Sequence, residues 1–258
     1  LIKNIFIYEK SIGVITPFDE KEVILHVGHI SNVPCIFLAR HGSEHNISPS
    51  RINFRANLWA MMVSGVKVIL ATAASGSLKE QIKPGSLVFL DSFIDKTINR
   101  EKTFHDGIVG HPKGVSHIPS HPSFNAKLRK VLITTAEELK LDFCASGTGI
   151  CIEGPRYSSK AESLLFRQWN ADIVNMTLCP EVYLAKELGI PYATTALVTD
   201  YDCWKEDFGV TVDVVSKMLE ENVSKTEKLF AAAIKKIGEI DWSEEIRAAK
   251  VFFILHNL

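Results

Sequence analysis

The stretch "PYATTALVTDYDCW", residues 191–204, decides the fold. Its first nine residues carry no charge and are rich in apolar and β-branched side chains. Such a run, closed by a turn, reads as a strand inside a sheet that is largely buried, the mark of an α/β protein. The run ends on Asp200, with Asp202 two positions on, Tyr201 between them and Trp204 just beyond. A turn tolerates aspartate, yet residues two apart on an extended chain project from one face. Both acids can then address a single flat polar partner.

The same alternation extends outward along the chain. "VKVILATAA" (66–74), "GSLVFLDSFI" (85–94) and "ADIVNMT" (171–177) read as further strands, and "EVILHVGHI" with "VPCIFLAR" (22–30 and 33–40) as an added hairpin. Between them, "FNAKLRKVLITTAEEL" puts Leu128, Val131, Leu132, Thr135 and Leu139 on one helical stripe, with Ser123 as its expected cap. "SSKAESLLFRQW" opens with Ser159 and Glu162 at capping-box spacing. "PEVYLAKELG" has proline before the helix and Gly189 after it. A long helix is expected over 211–237 and a last one in "WSEEIRAAKVFF". No repeat or low-complexity linker divides the chain, so residues 1–258 read as one domain.

Composition narrows the function. The chain has 258 residues, 46% hydrophobic and 23% charged, as expected for a globular protein with a substantial core. Lys plus Arg (29) nearly balance Asp plus Glu (30), which gives no field for nucleic acid or an anionic membrane. Small ligands remain. Five cysteines show neither a C-x-x-C pair nor zinc-type spacing with histidine, so no metal is expected and the thiols read as reduced. No stretch reaches the ~18 apolar residues of a membrane helix. A cytoplasmic location follows, with the nucleus also admissible.

Several segments have ligand-binding chemistry. "ARHGSEH" (39–45) groups Arg40, His41 and His45 around Gly42, and arginine presents a planar fork suited to phosphate oxygens; a charged strand end facing water is the bland alternative. "TAASGSL" (72–78) is a run of small residues at a strand's carboxyl end, where backbone N–H groups can approach an anion, or where a turn simply packs tightly. "IEGPRYSSKAE" (152–162) sets Tyr157 and Ser158 ahead of a helix, so the ring can stack on a base and the serines can be ligands or caps. The long loop 100–119 carries His105, His111 and His117, each read as solvent-facing; loops of that length cover sites or serve interfaces.

Taken together and in order, "LARHGSEH", "PSRINFRANLWA", "PGSLVFLDSFID", "GVSHIP", "IEGPRYSSKAES", "NMTLCPEVYLAKELGI" and "TDYDCW" resemble the methylthioadenosine phosphorylases of the trimeric purine nucleoside phosphorylase family. The likeness runs from about residue 20 to the last helix. It implies an α/β phosphorylase fold with a mixed, partly barrel-like sheet flanked by helices, assembled as a homotrimer with sites at subunit boundaries. The implied reaction is cleavage of 5′-methylthioadenosine by phosphate to adenine and 5-methylthioribose-1-phosphate, with phosphate as co-substrate and no cofactor. Two alternatives stay open: a broad or 6-oxopurine phosphorylase, and a nucleoside-binding protein without turnover.

The resemblance also implies roles. Arg40, His41 and the backbone at Ala74 would hold phosphate. Met176 and Thr177 would lie at the ribose, and Tyr157 and Ser158 at the base. Asp200 would protonate ring nitrogen 7 while Asp202 accepts from the exocyclic amino group. A 6-oxopurine would leave that acceptor unpaired, and mispaired polar sites discriminate by ~10⁴-fold or more. The 5′ group would meet His45, Val212, Val215 and Ser216, with His117 and Ile254 from a neighbouring subunit. Ser216 replaces the family's usual leucine, which admits adenosine as a second substrate. Ala73 lacks the threonine hydroxyl common there, and the family's glycine-rich G-G-T/S-G phosphate loop would precede this chain's first residue.

Overall fold

The computed structural model describes residue 2, residues 4–206 and residues 211–254, with the side chains of 212, 214 and 250–254 outside the described set. Strands β1 (Ile7–Thr16), β2 (Asp19–Ile30) and β3 (Val33–Phe37) form an antiparallel three-stranded sheet. The β2–β3 hairpin turns on Ser31 and Asn32, both at positive φ, with Ile30 opposite Val33. That is the two-residue geometry whose twist matches the strands. The hairpin agrees with the sequence reading, but β1 was not expected. Its residues are mostly exposed, so it lacks the strong inward-facing pattern that would announce it.

The main sheet has seven strands: β4 (Ile69–Ser77), β5 (Leu87–Phe89), β6 (Ser92–Lys96), β7 (Phe143–Cys144), β8 (Thr148–Ile152), β9 (Ile173–Asn175) and β10 (Tyr192–Asp200). Their order is β6-β8-β9-β4-β10-β5-β7. The sheet is mixed: β9 runs antiparallel to β4 and β5 antiparallel to β10, while the other pairs are parallel. Every residue of β10 is buried.

The expected strand over 85–94 is two strands, β5 and β6, parted by Leu90 and Asp91. They stand first and sixth in the order, which in a flat sheet would separate them by ~24 Å. Three peptide steps reach at most ~11 Å. The sheet must therefore curl until its edges approach, giving the partly barrel-like form. Hydrogen bonds seal the junction: Asp91 N–H donates to Gly147 O at 3.2 Å, and Gly147 N–H to the Asp91 carboxylate at 3.3 Å.

Among the described residues six α-helices flank the sheets: α1 (Phe54–Val63), α2 (Ala126–Glu138), α3 (Lys160–Gln168), α4 (Glu181–Glu187), α5 (Val212–Gly238) and α6 (Ser243–Ile254). The α2 stripe buries Leu128, Leu132 and Thr135 against Leu87, Phe89, Leu197 and Leu229, whereas Leu139 at the helix end is exposed. Its cap is Asn125, which accepts the Leu128 N–H at 2.8 Å; Ser123 instead donates to Ser120 O. Asn125 is the residue directly before the first helical turn, and Ser123 is too far back to reach the N–H groups there. The Ser159–Glu162 capping box is present.

Loop 100–119 has no helix or strand, but it is less exposed than expected. Phe104 packs against Phe18 and Trp59, with ring centroids 5.2 and 5.6 Å apart. His111 does not face solvent: its ring nitrogens lie 2.8 Å from Asp106 and from Pro17 O, which tie the loop to the β1–β2 turn. His105 is half-buried with Nδ1 2.8 Å from Lys113 O, and His117 is exposed.

Candidate active site

Parallel strands β4 and β10 end together, with Gly76 opposite Asp200. Asp200 is 5% exposed and Asp202 3% exposed. They are neighbours, but not by strand alternation. The strand stops at Asp200, and Asp202 takes a left-handed conformation, φ 49°, at the start of the short turn Asp202–Trp204. Aspartate is among the few residues that adopt it readily. The bend lets Asp202 N–H donate to Asp200 Oδ1 at 2.7 Å, while Thr199 Oγ1 donates to Oδ2 at 2.7 Å.

Burial disfavours the charged form of both acids and raises both pKa values, against the lowering hydrogen bonds from Thr199 and the Asp202 backbone at Asp200. At Asp202 the neighbouring Asp200 charge adds to the rise. Ser163 and Ser158 lie near enough to oppose it, yet neither hydroxyl meets hydrogen-bond geometry with Asp202 Oδ2. That oxygen is buried and makes no hydrogen bond among the described residues.

Tyr201 and Trp204, which flank the acids, are fasteners. Trp204 Nε1–H donates to Ser77 O at 2.8 Å, Arg167 lies 3.6 Å over its ring, and Tyr201 packs edge-on at 5.9 Å. They pin the acid turn to the end of β4.

The expected phosphate pair lies further back along β4, where Arg40 meets Thr72. Arg40 follows β3, and its side chain is 18% exposed. Its Nε–H and one Nη2–H grip Glu181 at 2.9 and 2.7 Å, and Nη1–H donates to Thr72 O at 2.8 Å. Burial alone would lower the arginine pKa; the Glu181 carboxylate reverses that and raises it. Glu181 Oε1 also accepts the Tyr192 hydroxyl at 2.8 Å, and Tyr192 in turn accepts Thr194 Oγ1 at 2.8 Å. His41 donates Nδ1–H to Ile47 O at 2.9 Å and stacks on His45 at 4.5 Å. Its pKa is lowered by burial, with His45 and Arg40 adding to the effect.

Thr72, which Arg40 holds, and Gly76, beside Asp200, are four residues apart on one strand. At ~3.3 Å per residue they are ~13 Å apart, about the span of an oxyanion plus a nucleoside. Ala74, midway, is exposed within an otherwise covered strand end.

Met176 follows β9, half-buried, in a turn made by Asn175, whose side chain accepts the Thr177 and Leu178 N–H groups at 3.1 and 3.0 Å. Its sulfur lies against Gly154, where a Cβ would come within 2.6 Å. This brings the Tyr157–Ser158 turn beside the Met176 segment. Tyr157 is 39% exposed; burial raises its pKa and the Asp200 charge adds to the rise, so its hydroxyl stays neutral. Ser158 is half-buried with its hydroxyl unpartnered.

The 5′ pocket residues are less drawn together. His45 and Ser216 are exposed, Val215 is half-buried, and His117 is exposed on the long loop. The side chains of Val212 and Ile254 lie outside the described residues.

Four residues of the site escaped the sequence reading. Glu181 is the first residue of α4, Tyr192 the first of β10, and Gly76 one of the small residues in the run 72–78. Arg100 opens the long loop, yet its side chain is 2% exposed and donates to Met176 O, Cys179 O and Glu153 O at 2.9, 2.6 and 2.7 Å. In each case the signal is a long-range partner, which spacing along the chain does not carry.

Comparison with known proteins places the chain in a family. The phosphorylase superfamily profile matches residues 7–235. The S-methyl-5′-thioadenosine phosphorylase of Caenorhabditis briggsae is 53% identical over 247 residues, covering 96% of this chain and 87% of that protein. The Danio rerio protein of the same name is 48% identical over 238 residues, covering 92% and 85%. Methylthioadenosine phosphorylase from Schistosoma mansoni in complex with adenine superposes with a TM-score of 0.94 at 38% identity, covering 98% of this chain and 94% of that one. A point variant of the adenosine/methylthioadenosine phosphorylase from the same organism, in complex with methylthioadenosine, gives 0.93 at 38% identity, covering 98% and 93%. By its profile match and by relatives about half identical across more than nine-tenths of its length, this chain belongs to the phosphorylase superfamily, within the S-methyl-5′-thioadenosine phosphorylases.

Proposed function

We propose that the chain catalyses phosphorolysis of 5′-methylthioadenosine, releasing adenine and 5-methylthioribose-1-phosphate. A phosphate oxygen attacks the anomeric carbon as the bond to the base breaks. The bonding pair passes into the purine ring, and nitrogen 7 takes a proton from Asp200. Arg40, His41 and the Ala74 backbone hold the phosphate in line with the bond, which removes much of the entropic cost of bringing two reactants together. Neutral His41, with Nδ1–H on Ile47 O, keeps Nε2 free to accept the hydroxyl of hydrogen phosphate. Met176 and Thr177 contact the ribose, Tyr157 stacks on the base, and Ser158 meets its edge.

One observation carries the substrate choice. Asp202 Oδ2 is buried and makes no hydrogen bond among the described residues, beside an Asp200 whose raised pKa favours a bound proton. A buried acceptor calls for a donor. Adenine's amino group supplies one and its nitrogen 7 takes the proton; a 6-oxopurine presents an acceptor there instead. The exposed hydroxyl of Ser216 in the 5′ slot supports adenosine as a secondary substrate.

Residues 1–258 act as one phosphorylase unit, needing phosphate as co-substrate and no metal or organic cofactor. A homotrimer, with His117 and Ile254 reaching a neighbour's site, is supported by the apolar exposure of loop 100–119, where Ile108, Val109 and Val115 are 57%, 100% and 62% exposed. The working setting is the cytoplasm, with the nucleus also open to it, and neither nucleic acid nor membrane is a partner. No helix among the described residues is long and apolar enough to cross a membrane. The test is a product assay on methylthioadenosine, adenosine and inosine, with and without phosphate. Adenine release that requires phosphate supports the reading; release of hypoxanthine alone refutes it.

A further inference from the structure

Behind Arg40 lies a buried chain of hydrogen bonds. Thr194 Oγ1 donates to the Tyr192 hydroxyl, Tyr192 donates to Glu181 Oε1, and Glu181 accepts two N–H groups from Arg40. Tyr192 is 4% exposed and Glu181 7%. Burial first, then the Glu181 charge, holds the tyrosine pKa far above its ordinary value, so Tyr192 is a permanent donor. Glu181 Oε1 is thereby filled by Tyr192 and Arg40 Nη2, and Oε2 by Arg40 Nε.

From this geometry we infer that Glu181, locked by Tyr192, is the positioning residue for Arg40 in oxyanion binding. The inference rests on the reading of Arg40 as a phosphate ligand. Arginine has five N–H groups in a fixed planar fork. Two go to Glu181 and one to Thr72 O, so two remain, one on each terminal nitrogen. Those two lie in the guanidinium plane set by Glu181 and are the pair left for a tetrahedral oxyanion. A guanidinium without that partner would keep its charge but could rotate about its side-chain torsions. It would bind phosphate in several poses, few of them in line with the glycosidic bond.

Glu181→Gln is nearly isosteric but places an amide NH₂ against the Arg40 donors or the Tyr192 hydroxyl, breaking the fork. Tyr192→Phe removes the lock and leaves Glu181 in place. The experiment measures the phosphate KM, the methylthioadenosine KM and kcat for both variants and for Arg40→Gln, with adenine binding followed by calorimetry. Glu181→Gln is expected to raise the phosphate KM about tenfold or more and Tyr192→Phe about two- to fivefold. The nucleoside KM and adenine Kd should stay within about twofold of the parent. A general packing defect would move all of these together, so the split identifies positioning.

Should Arg40→Gln raise the phosphate KM while Glu181→Gln leaves it unchanged, the positioning role is overturned and Arg40 keeps its own. No change in any of the three variants overturns the phosphate reading as well. If Glu181→Gln is not recovered folded, Tyr192→Phe decides: a phosphate KM equal to the parent's contradicts the inference.

Discussion

Asp202 donates its backbone N–H to the side chain of Asp200 at 2.7 Å, so the two acids are joined by a hydrogen bond that survives any change in the charge of the Asp202 side chain. Asp200 is thus fixed in direction by the backbone, and its protonation is governed mainly by burial. Asp202 Oδ2, by contrast, makes no hydrogen bond within the described residues, although the Ser163 and Ser158 hydroxyls lie near it. In the proposed reaction the first acid gives up a proton and the second accepts a donor.

Asp200→Asn keeps the shape of the side chain and removes its acid function. Loss of a general acid costs about 10²–10⁴ in rate, and kcat for methylthioadenosine is expected to fall within that range. The parent's rate should decline as pH rises through the raised Asp200 pKa, where the acid loses its proton. The Asn variant's residual rate should lack that limb. A pH–rate series on both proteins checks this.

Asp202→Asn should stabilise the unliganded protein. The folded-state pKa is raised, so the parent's stability contribution is full below the ordinary carboxylate pKa and is lost as pH rises through the raised value. The variant escapes that loss. Its Tm advantage should be near zero below about pH 4, open as pH rises through the raised pKa, and hold constant above. About 2–4 °C corresponds to ~1 kcal/mol in a chain of this size. Adenine affinity should fall in the same variant, and the ratio of adenosine to inosine turnover should shrink.

Gly76 has no room for a side chain: a Cβ there would lie 2.8 Å from Asp200 Oδ1, 3.2 Å from Val174 Cγ1 and 3.3 Å from Asp202 Cβ. Gly76→Ala must displace the acid pair. A loss of about tenfold or more in kcat/KM is expected, as misplacement by ~1 Å near the reacting atoms is costly. Steady-state kinetics alongside a melting curve separates this from unfolding.

Arg100 ties the long loop to the Met176 turn and to Glu153. Arg100→Met keeps much of the bulk but removes the donor to four carbonyls, of Met176, Cys179, Ile152 and Glu153, and to Glu153 Oε1. Leaving a buried acceptor without its donor costs about 1–3 kcal/mol, and urea denaturation should show a loss of at least that order. A change under 1 kcal/mol would mean the loop is held by Phe104 and His111 instead.

Where a signal is local, the chain was readable. The unbroken run of β10, the Ser159–Glu162 capping box and the Ser31–Asn32 hairpin turn each depend on residues within a few positions. Strand β1 was hidden because its faces are mostly exposed, and the single strand over 85–94 was an error because only the curled sheet requires a break at Leu90 and Asp91. The acid pair was visible by spacing, though its cause was misjudged: a left-handed turn at Asp202, not strand alternation, brings the carboxylates together. Glu181, Tyr192 and Arg100 act across 141, 11 and 76 positions, to Arg40, Glu181 and Met176, and no pattern in neighbouring residues reports such partners.

The most direct measurement follows purine release from methylthioadenosine by purified protein as phosphate is added. The account predicts adenine formed mole for mole with phosphate consumed, no adenine without phosphate, and little or no hypoxanthine from inosine. Tight adenine binding with no phosphate-dependent turnover, or preferred cleavage of inosine, would contradict it.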